Sequence, residues 1–199
     1  AGLLYSTHVP AAVLFGIYLW WRCRRDTSSD GDRRVHPFMW GYLLMNLIGF
    51  VIWVCMPVAP PWYVEKYGLS APSGPVLGDP AALERVDLLL GYAHFQSIYE
   101  QATYVFGAFP SMHVAPGVWV ALWARRPSLR VIAVLYACLM SFFAVYLTHH
   151  YIVDVLAGAL LAAAVYWLMS RTRARGWSIR LAAALRRAVD GVKARGRGS

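Results

Sequence analysis

Two short runs carry most of the chemistry available to this 199-residue chain: Phe109-Pro110-Ser111-Met112-His113 and Tyr146-Leu147-Thr148-His149-His150-Tyr151-Ile152-Val153-Asp154. Each stands at the head of a strongly apolar stretch, so each puts imidazole where a membrane helix meets water. Ionisable groups are costly there, and their presence points to function. The spacing of His150 and Asp154 predicts both side chains on one helical face, a turn apart. A carboxylate so placed can accept the Nδ1 proton and leave Nε2 free as nucleophile or base. On the same helix His149 would point about 100° away from His150. Ser111, with the open N–H groups of a helix beginning near His113, offers a ready anion site.

The elements that must position these residues are membrane helices. Hydrophobic residues make up 59% of the chain, with nine tryptophans and a mean hydropathy of +0.46. That composition excludes an ordinary soluble domain. Apolar runs cover 3–21, 38–58, 111–124, 129–147 and 150–169, near the ~20 residues a span requires. The expected fold is all-α, a polytopic helix bundle with five spans. A sixth is expected upstream, because the chain opens on an apolar segment without methionine. The third run is short, so it is expected to start below the membrane surface in a recess lined by protein. Residues 1–170 read as a single membrane catalytic domain. Within it, 59–110 form an outer cap segment, with a short helix over 81–90 and an aromatic stretch over 91–109 suited to lying along the interface. Residues 171–199 read as a basic tail, either a frayed anchor or an interfacial helix carrying Trp177, Ile179, Leu181, Leu185 and Val189.

Charge sets the orientation. Of 19 lysines and arginines, five lie between the first two runs, three between the third and fourth, and nine from Arg171 onward. All of these fall on one side, which the positive-inside rule makes cytoplasmic. Lys66 and Arg85 remain for the opposite side, where His113, His149 and His150 emerge. The net charge of +9 therefore reflects topology and anionic lipid, with no nucleic-acid partner implied. His8 and His36 read as boundary residues away from the cluster, and His94, Glu100 and Asp79 as solvated loop residues. Cys23, Cys55 and Cys138 have neither disulfide nor metal-ligand spacing.

These motifs resemble a known family. Pro110-Ser111-Met112-His113 is similar to the PSGH block of the type-2 phosphatidic acid phosphatase superfamily, and His150-x-x-x-Asp154 to the end of its SR-x5-H-x3-D block. Within it, the likeness is to the inositol phosphorylceramide synthase branch, whose fungal members carry APPWY, a KYGL-like continuation, an A-R-I-D-like step, FGAFPSLH and YLTHHY-x-VD. This chain has Ala59-Pro60-Pro61-Trp62-Tyr63, Lys66-Tyr67-Gly68-Leu69, Glu84-Arg85-Val86-Asp87 and the two histidine runs in the same order. It departs from the superfamily where Ala144 and Phe143 replace the expected arginine and serine, and in lacking the KxxxxxxRP block, since Ser73 and Gly74 stand there. Both losses remove phosphate-binding cations. A phosphomonoester brings about two negative charges and a diester one, so the remaining cations suit a diester.

The resemblance implies a metal-independent enzyme with no cofactor that moves a phosphoinositol-type headgroup from a phospholipid donor to a lipid alcohol acceptor. His150 would attack phosphorus, Asp154 would hold its tautomer, and His113 would serve as acid and then base. Lys66 and Arg85 would clamp non-bridging oxygens, unless each is spent on an ion pair with neighbouring acids. His149 would support a headgroup hydroxyl. Trp62 and Tyr63 would form either a substrate wall or an interfacial belt. The competing readings are a phosphatase acting on a polyprenyl or glyceryl phosphate, and a membrane scaffold with structural histidines. The alanine- and arginine-rich composition looks bacterial, placing the protein in a bacterial cytoplasmic membrane with its site on the extracytoplasmic face. The acceptor and the oligomeric state stay open.

Overall fold

The computed structural model describes residues 1–25, 29–69, 74, 76–102, 104–174 and 187. Among them the chain is all-helical and forms no strand. In chain order the helices are α1 (Gly2–Tyr5), α2 (His8–Arg25), α3 (Ser29–Cys55), α4 (Pro61–Tyr67), the 3-10 turn η1 (Ala81–Leu83), α5 (Glu84–Leu90), α6 (His94–Glu100), α7 (Val114–Trp123), α8 (Pro127–Tyr146) and α9 (Ile152–Ala174). Among the described residues, three stretches are long and apolar enough to cross a membrane: Arg34–Cys55, Pro127–Tyr146 and Ile152–Arg171. They make this an integral membrane protein. The five expected spans correspond to α2, α3, α7, α8 and α9, but α2 and α7 do not meet the same length and hydropathy requirement. The expected tail helix lies outside the described residues.

Helix α7 is the centre of the bundle. Ten residues reach only ~15 Å, half a bilayer core, and eight of them are buried. It packs between α2, α3, α8 and α9, so its N-terminus opens inside a protein-walled recess. Trp119, fully buried, is the main knob. Gly41 on α3 faces it, and a methyl group there would overlap the indole. Around it, Phe15, Leu19, Phe38, Met45, Met112, Trp123, Val165 and Met169 form the larger of two apolar clusters. The smaller cluster joins Tyr5, Leu83, Phe95, Val114, Met140, Ala144 and Leu147. It therefore ties the short helices between α3 and α7 to the ends of α1, α7 and α8.

The outward faces of α3, α8 and α9 are apolar and exposed, with Leu47, Phe50, Val51, Ile132, Leu135, Phe142, Leu156 and Leu160 all more than half accessible. Such a belt suits acyl chains. At one end of the bundle, the guanidinium groups of Arg24, Arg25 and Arg171 sit over Trp20, Trp21 and Trp167. Arg22, Arg34, Arg125 and Arg126 gather at that end around a small cavity, and Arg34 donates to the Trp123 carbonyl. His113, His149 and His150 lie at the other end.

Candidate active site

Three backbone segments meet at that opposite end. The α3 exit pairs with residues 106–108: the Val58 N–H donates to the Phe106 carbonyl at 2.8 Å, and the Ala108 N–H to the Val58 carbonyl at 3.2 Å. The Trp62 N–H at the start of α4 donates to the Thr148 carbonyl at 3.0 Å. Finally, the Ser111 N–H donates to the Asp154 carbonyl at 2.9 Å. That last contact needs Gly158, because any Cβ there would overlap the Ser111 carbonyl oxygen. The loop before α7 thus lies directly on the first turns of α9.

These contacts bring His113 and His150 together. His113 is the N-terminal flanking residue of α7, and its Nδ1 lies 3.0 Å from His150 Nε2. His150 Nδ1 is 2.8 Å from the Ala108 carbonyl oxygen. A carbonyl can only accept, so Nδ1 carries the proton and Nε2 presents its lone pair. His113 Nδ1–H must then be the donor to it. His150 is 3% exposed, so its Nε2 is held in place and shielded from bulk water.

Asp154 plays a different part from the one its spacing suggests. Helix α9 starts at Ile152, so His149 and His150 stand in the turn before it and share no helical face with Asp154. Asp154 Oδ2 accepts the Tyr151 N–H at 2.8 Å, the reach-back of a capping box. It lies 3.8 Å from His150 Nδ1, beyond a hydrogen bond. Asp154 Oδ1 is buried without a hydrogen-bond partner among the described residues. The Asp154 side chain thus caps the start of α9, while the Ala108 carbonyl fixes the tautomer.

The turn carrying both histidines is strained. Thr148 has φ +57°, the left-handed region that a β-branched residue enters only under constraint. This turn sends His149 to a separate stack, with ring centroids 5.3 Å from Tyr5 and 5.2 Å from Tyr99. Burial, then the neighbouring His150, pushes the His149 pKa down to about 3, against the opposing pull of Asp79 and the Pro80 backbone. At neutral pH His149 is uncharged.

A cavity of about 470 Å³ opens beside these groups. His113, His149 and His150 form its polar end, and Trp62 and Tyr99 flank them. Phe50, Trp53 and Val54 of α3, with Tyr104, Val105 and Gly107, extend it toward the lipid-facing side. Tyr63 is buried but turned onto Tyr67 and Phe106, outside the lining. Ser111 is fully buried, and its hydroxyl accepts the Val114 N–H at 3.4 Å within its own helix cap.

Lys66 and Arg85 do not line this cavity. Lys66 pairs with Asp79 at 2.8 Å on the surface, so Asp79 is an ion-pair partner rather than a solvated loop residue. Arg85 is exposed on α5. Its neighbour Asp87 faces away, accepting the Phe95 and Gln96 N–H groups at the start of α6. Burial opposes ionisation of Asp87, but those N–H groups hold its pKa below the usual range. Among the described residues no lysine or arginine lines the cavity, and no group of acids, cysteines and histidines is arranged to hold a metal ion.

Three residues near the site escaped the sequence reading. Tyr5 and Tyr99 stack on its histidines, and the His8 ring centroid is 4.3 Å from that of His113. Placing His8 away from the cluster was wrong. The signal was present in the charge pattern: basic residues follow the first apolar run, so residues 1–8 must share a face with His113.

Residues 1–168 match the family described as the PAP2 superfamily. The chain belongs to that superfamily. It is 36% identical over 175 residues to phosphoinositol dihydroceramide synthase of Bacteroides thetaiotaomicron, covering 84% of this chain and 53% of that protein. It is 37% identical over 135 residues to inositol phosphorylceramide synthase of Candida albicans, covering 67% of this chain and 28% of that one. The catalytic subunit of the Saccharomyces cerevisiae synthase is 36% identical over 124 residues, covering 61% of this chain and 31% of its own length. The chain therefore spans between 28% and 53% of these curated relatives. No solved structure matches it significantly. In this PAP2 superfamily member the matched region contains the whole histidine site.

Proposed function

We propose that the chain is the membrane part of a phosphotransferase that moves a phosphoinositol headgroup from a phospholipid to a lipid alcohol through a phosphohistidine. The observation that carries this reading is the His113–His150 pair at the polar end of an otherwise apolar cavity. A donor phosphorus would enter between the two rings, replacing their hydrogen bond. His150 Nε2 attacks phosphorus, and the bond to the glyceride oxygen breaks as His113, entering the step protonated, gives that oxygen its proton. Diacylglycerol leaves, and the acceptor hydroxyl returns a proton to His113 as its oxygen displaces His150. The proton count closes over the cycle without water.

The lining supports a diester donor. Burial and the neighbouring histidines lower the His113 pKa, so the proton it carries into the step is drawn there by the bound phosphate. A diester monoanion needs one such charge, whereas a monoester dianion would meet no lysine or arginine there. The arrangement also disfavours water as acceptor, because the reacting nitrogen is buried beside an apolar wall. The names of the relatives point to a ceramide-class acceptor, and one of them is bacterial. With the arginine-rich end facing the cytoplasm, the cavity would open on the extracytoplasmic face of a bacterial cytoplasmic membrane.

Purified protein in mixed micelles should convert phosphatidylinositol and ceramide to diacylglycerol and a phosphoinositol lipid, without free phosphate. Labelled inositol should remain on the protein when the acceptor is withheld. Rapid phosphate release from phosphatidic acid or a polyprenyl phosphate, with no headgroup transfer, would overturn the proposal.

A further inference from the structure

Four nearly parallel rings follow one another across the site in the order His113, Tyr5, His149, Tyr99. Successive centroids lie 4.3, 5.3 and 5.2 Å apart, with interplanar angles of 16°, 9° and 17°. Four separate segments supply them, so the stack is a product of the tertiary fold. Tyr5 is the member that touches the ring at the chemistry without lining the cavity itself. Its ring is 2% exposed, and its hydroxyl has no hydrogen-bond partner among the described residues. A buried orphan hydroxyl costs stability, so the contribution of this side chain lies in its ring faces.

The backbone around Tyr5 is fixed independently. Its carbonyl oxygen is 3.1 Å from His8 Nδ1, and the His8 ring packs at 55° against His113 from a second direction. Thr7 Oγ1 donates to the Leu4 carbonyl and lies 2.9 Å from the Tyr136 hydroxyl on α8. Leu83 and Val86 pack against Gly2, where a Cβ would collide with both. The segment is thus pinned to α8 and to the helices before α7.

We propose that Tyr5 is a positioning residue for His113, setting the plane in which that imidazole acts as acid and base. This rests on the phosphotransfer reading above. When phosphorus enters, His113 must leave His150 Nε2 and reach the departing oxygen. A stacked partner tolerates sliding within the plane but resists tilting out of it, so the ring can make that exchange and stay aimed. Proton delivery matters in proportion to how poor the leaving group is: a glyceride oxygen needs it, whereas a nitrophenolate leaves without a proton.

The test compares Tyr5→Leu and Tyr5→Phe with two donors in mixed micelles, phosphatidylinositol and the 4-nitrophenyl ester of phosphoinositol. The Leu variant should lose at least about tenfold in kcat on phosphatidylinositol, with KM changed less than about twofold. It should retain the burst of nitrophenolate that marks attack by His150. The Phe variant, which keeps the stack, should match the parent protein on both donors. Equal losses of the Leu variant on both donors, or a Phe variant as impaired as Leu, would overturn the assignment. A parent protein giving neither nitrophenolate burst nor headgroup transfer would instead sink the phosphotransfer reading.

Discussion

At the scale of single residues, the arrangement around His150 separates two roles that an i,i+4 spacing merges. The Ala108 carbonyl takes the Nδ1 proton, and Asp154 caps α9 from 3.8 Å away. Asp154→Asn should therefore keep the tautomer and cost about tenfold to hundredfold in turnover, as supporting groups do. His150→Ala should abolish both turnover and the labelled phosphoenzyme. An Asn variant as inactive as His150→Ala would mean that Asp154 takes the proton during the reaction. Lys66 yields a second expectation. Its side chain is 55% exposed and paired with Asp79, a type of contact worth about 0.2–1 kcal/mol. Lys66→Ala should leave KM for the donor within about threefold of the parent value if the cavity is served without it. A much larger rise would show that the lysine swings inward on binding.

At the scale of elements, the site depends on how closely the loop before α7 approaches α9. Gly158 creates that approach, and nothing chemical is asked of it. Gly158→Ala should push the Ser111 backbone outward, weaken its hydrogen bond to the Asp154 carbonyl and cost about 1–3 kcal/mol, the usual range for overpacking. Thermal unfolding in detergent would read this as a lower Tm, with turnover falling because the start of α7 carries His113. Gly74→Ala is the control, since a methyl group there meets nothing within 4 Å. A Tm for Gly158→Ala equal to that of the control would exclude the close contact. The shortness of α7 follows the same logic: a helix that crossed the whole bilayer would carry His113 up to the water surface, away from the apolar cavity.

At the scale of the whole molecule, stability should depend on pH through imidazoles whose pKa burial lowers, His113 and His149, and His149 shows how. Its folded pKa of about 3 lies below the ordinary value of about 6.5. Between those values the unfolded chain binds a proton that the folded one refuses. The stability this group contributes is thus fully present above about pH 6.5 and falls by about 1.4 kcal/mol per pH unit below it, down to about 3. Asp79 and Asp87, both held below the usual carboxylate range, add losses of the same sign at the acid end. Replacing His149 with Phe should lessen the slope of Tm against pH between about 4 and 6.5, with His113 keeping the remainder. An unchanged slope would show that His149 does not govern it.

The sequence by itself determined that this is a helical membrane protein, which end carries the arginines, and that His113 and His150 share the other end. Those properties follow from hydropathy, span length and charge, which act over contiguous residues and are legible wherever the chain sits. Even the short third run announced itself, because a segment too short to cross must begin in a recess. Contacts between distant segments were decided only by the tertiary structure. Tyr5, His8 and Tyr99 became neighbours of the site through ring contacts, stacked for the tyrosines and tilted for His8, that leave no periodic trace. Asp154 lost the proton of His150 because α9 begins two residues after that histidine, and the loop at Ala108 offers a nearer acceptor. Lys66 and Arg85 lie toward the end of the bundle that carries His113, His149 and His150. Yet a hydrated surface ion pair and an exposed helix face hold them there, since burying either cation beside an apolar wall would cost more than water allows.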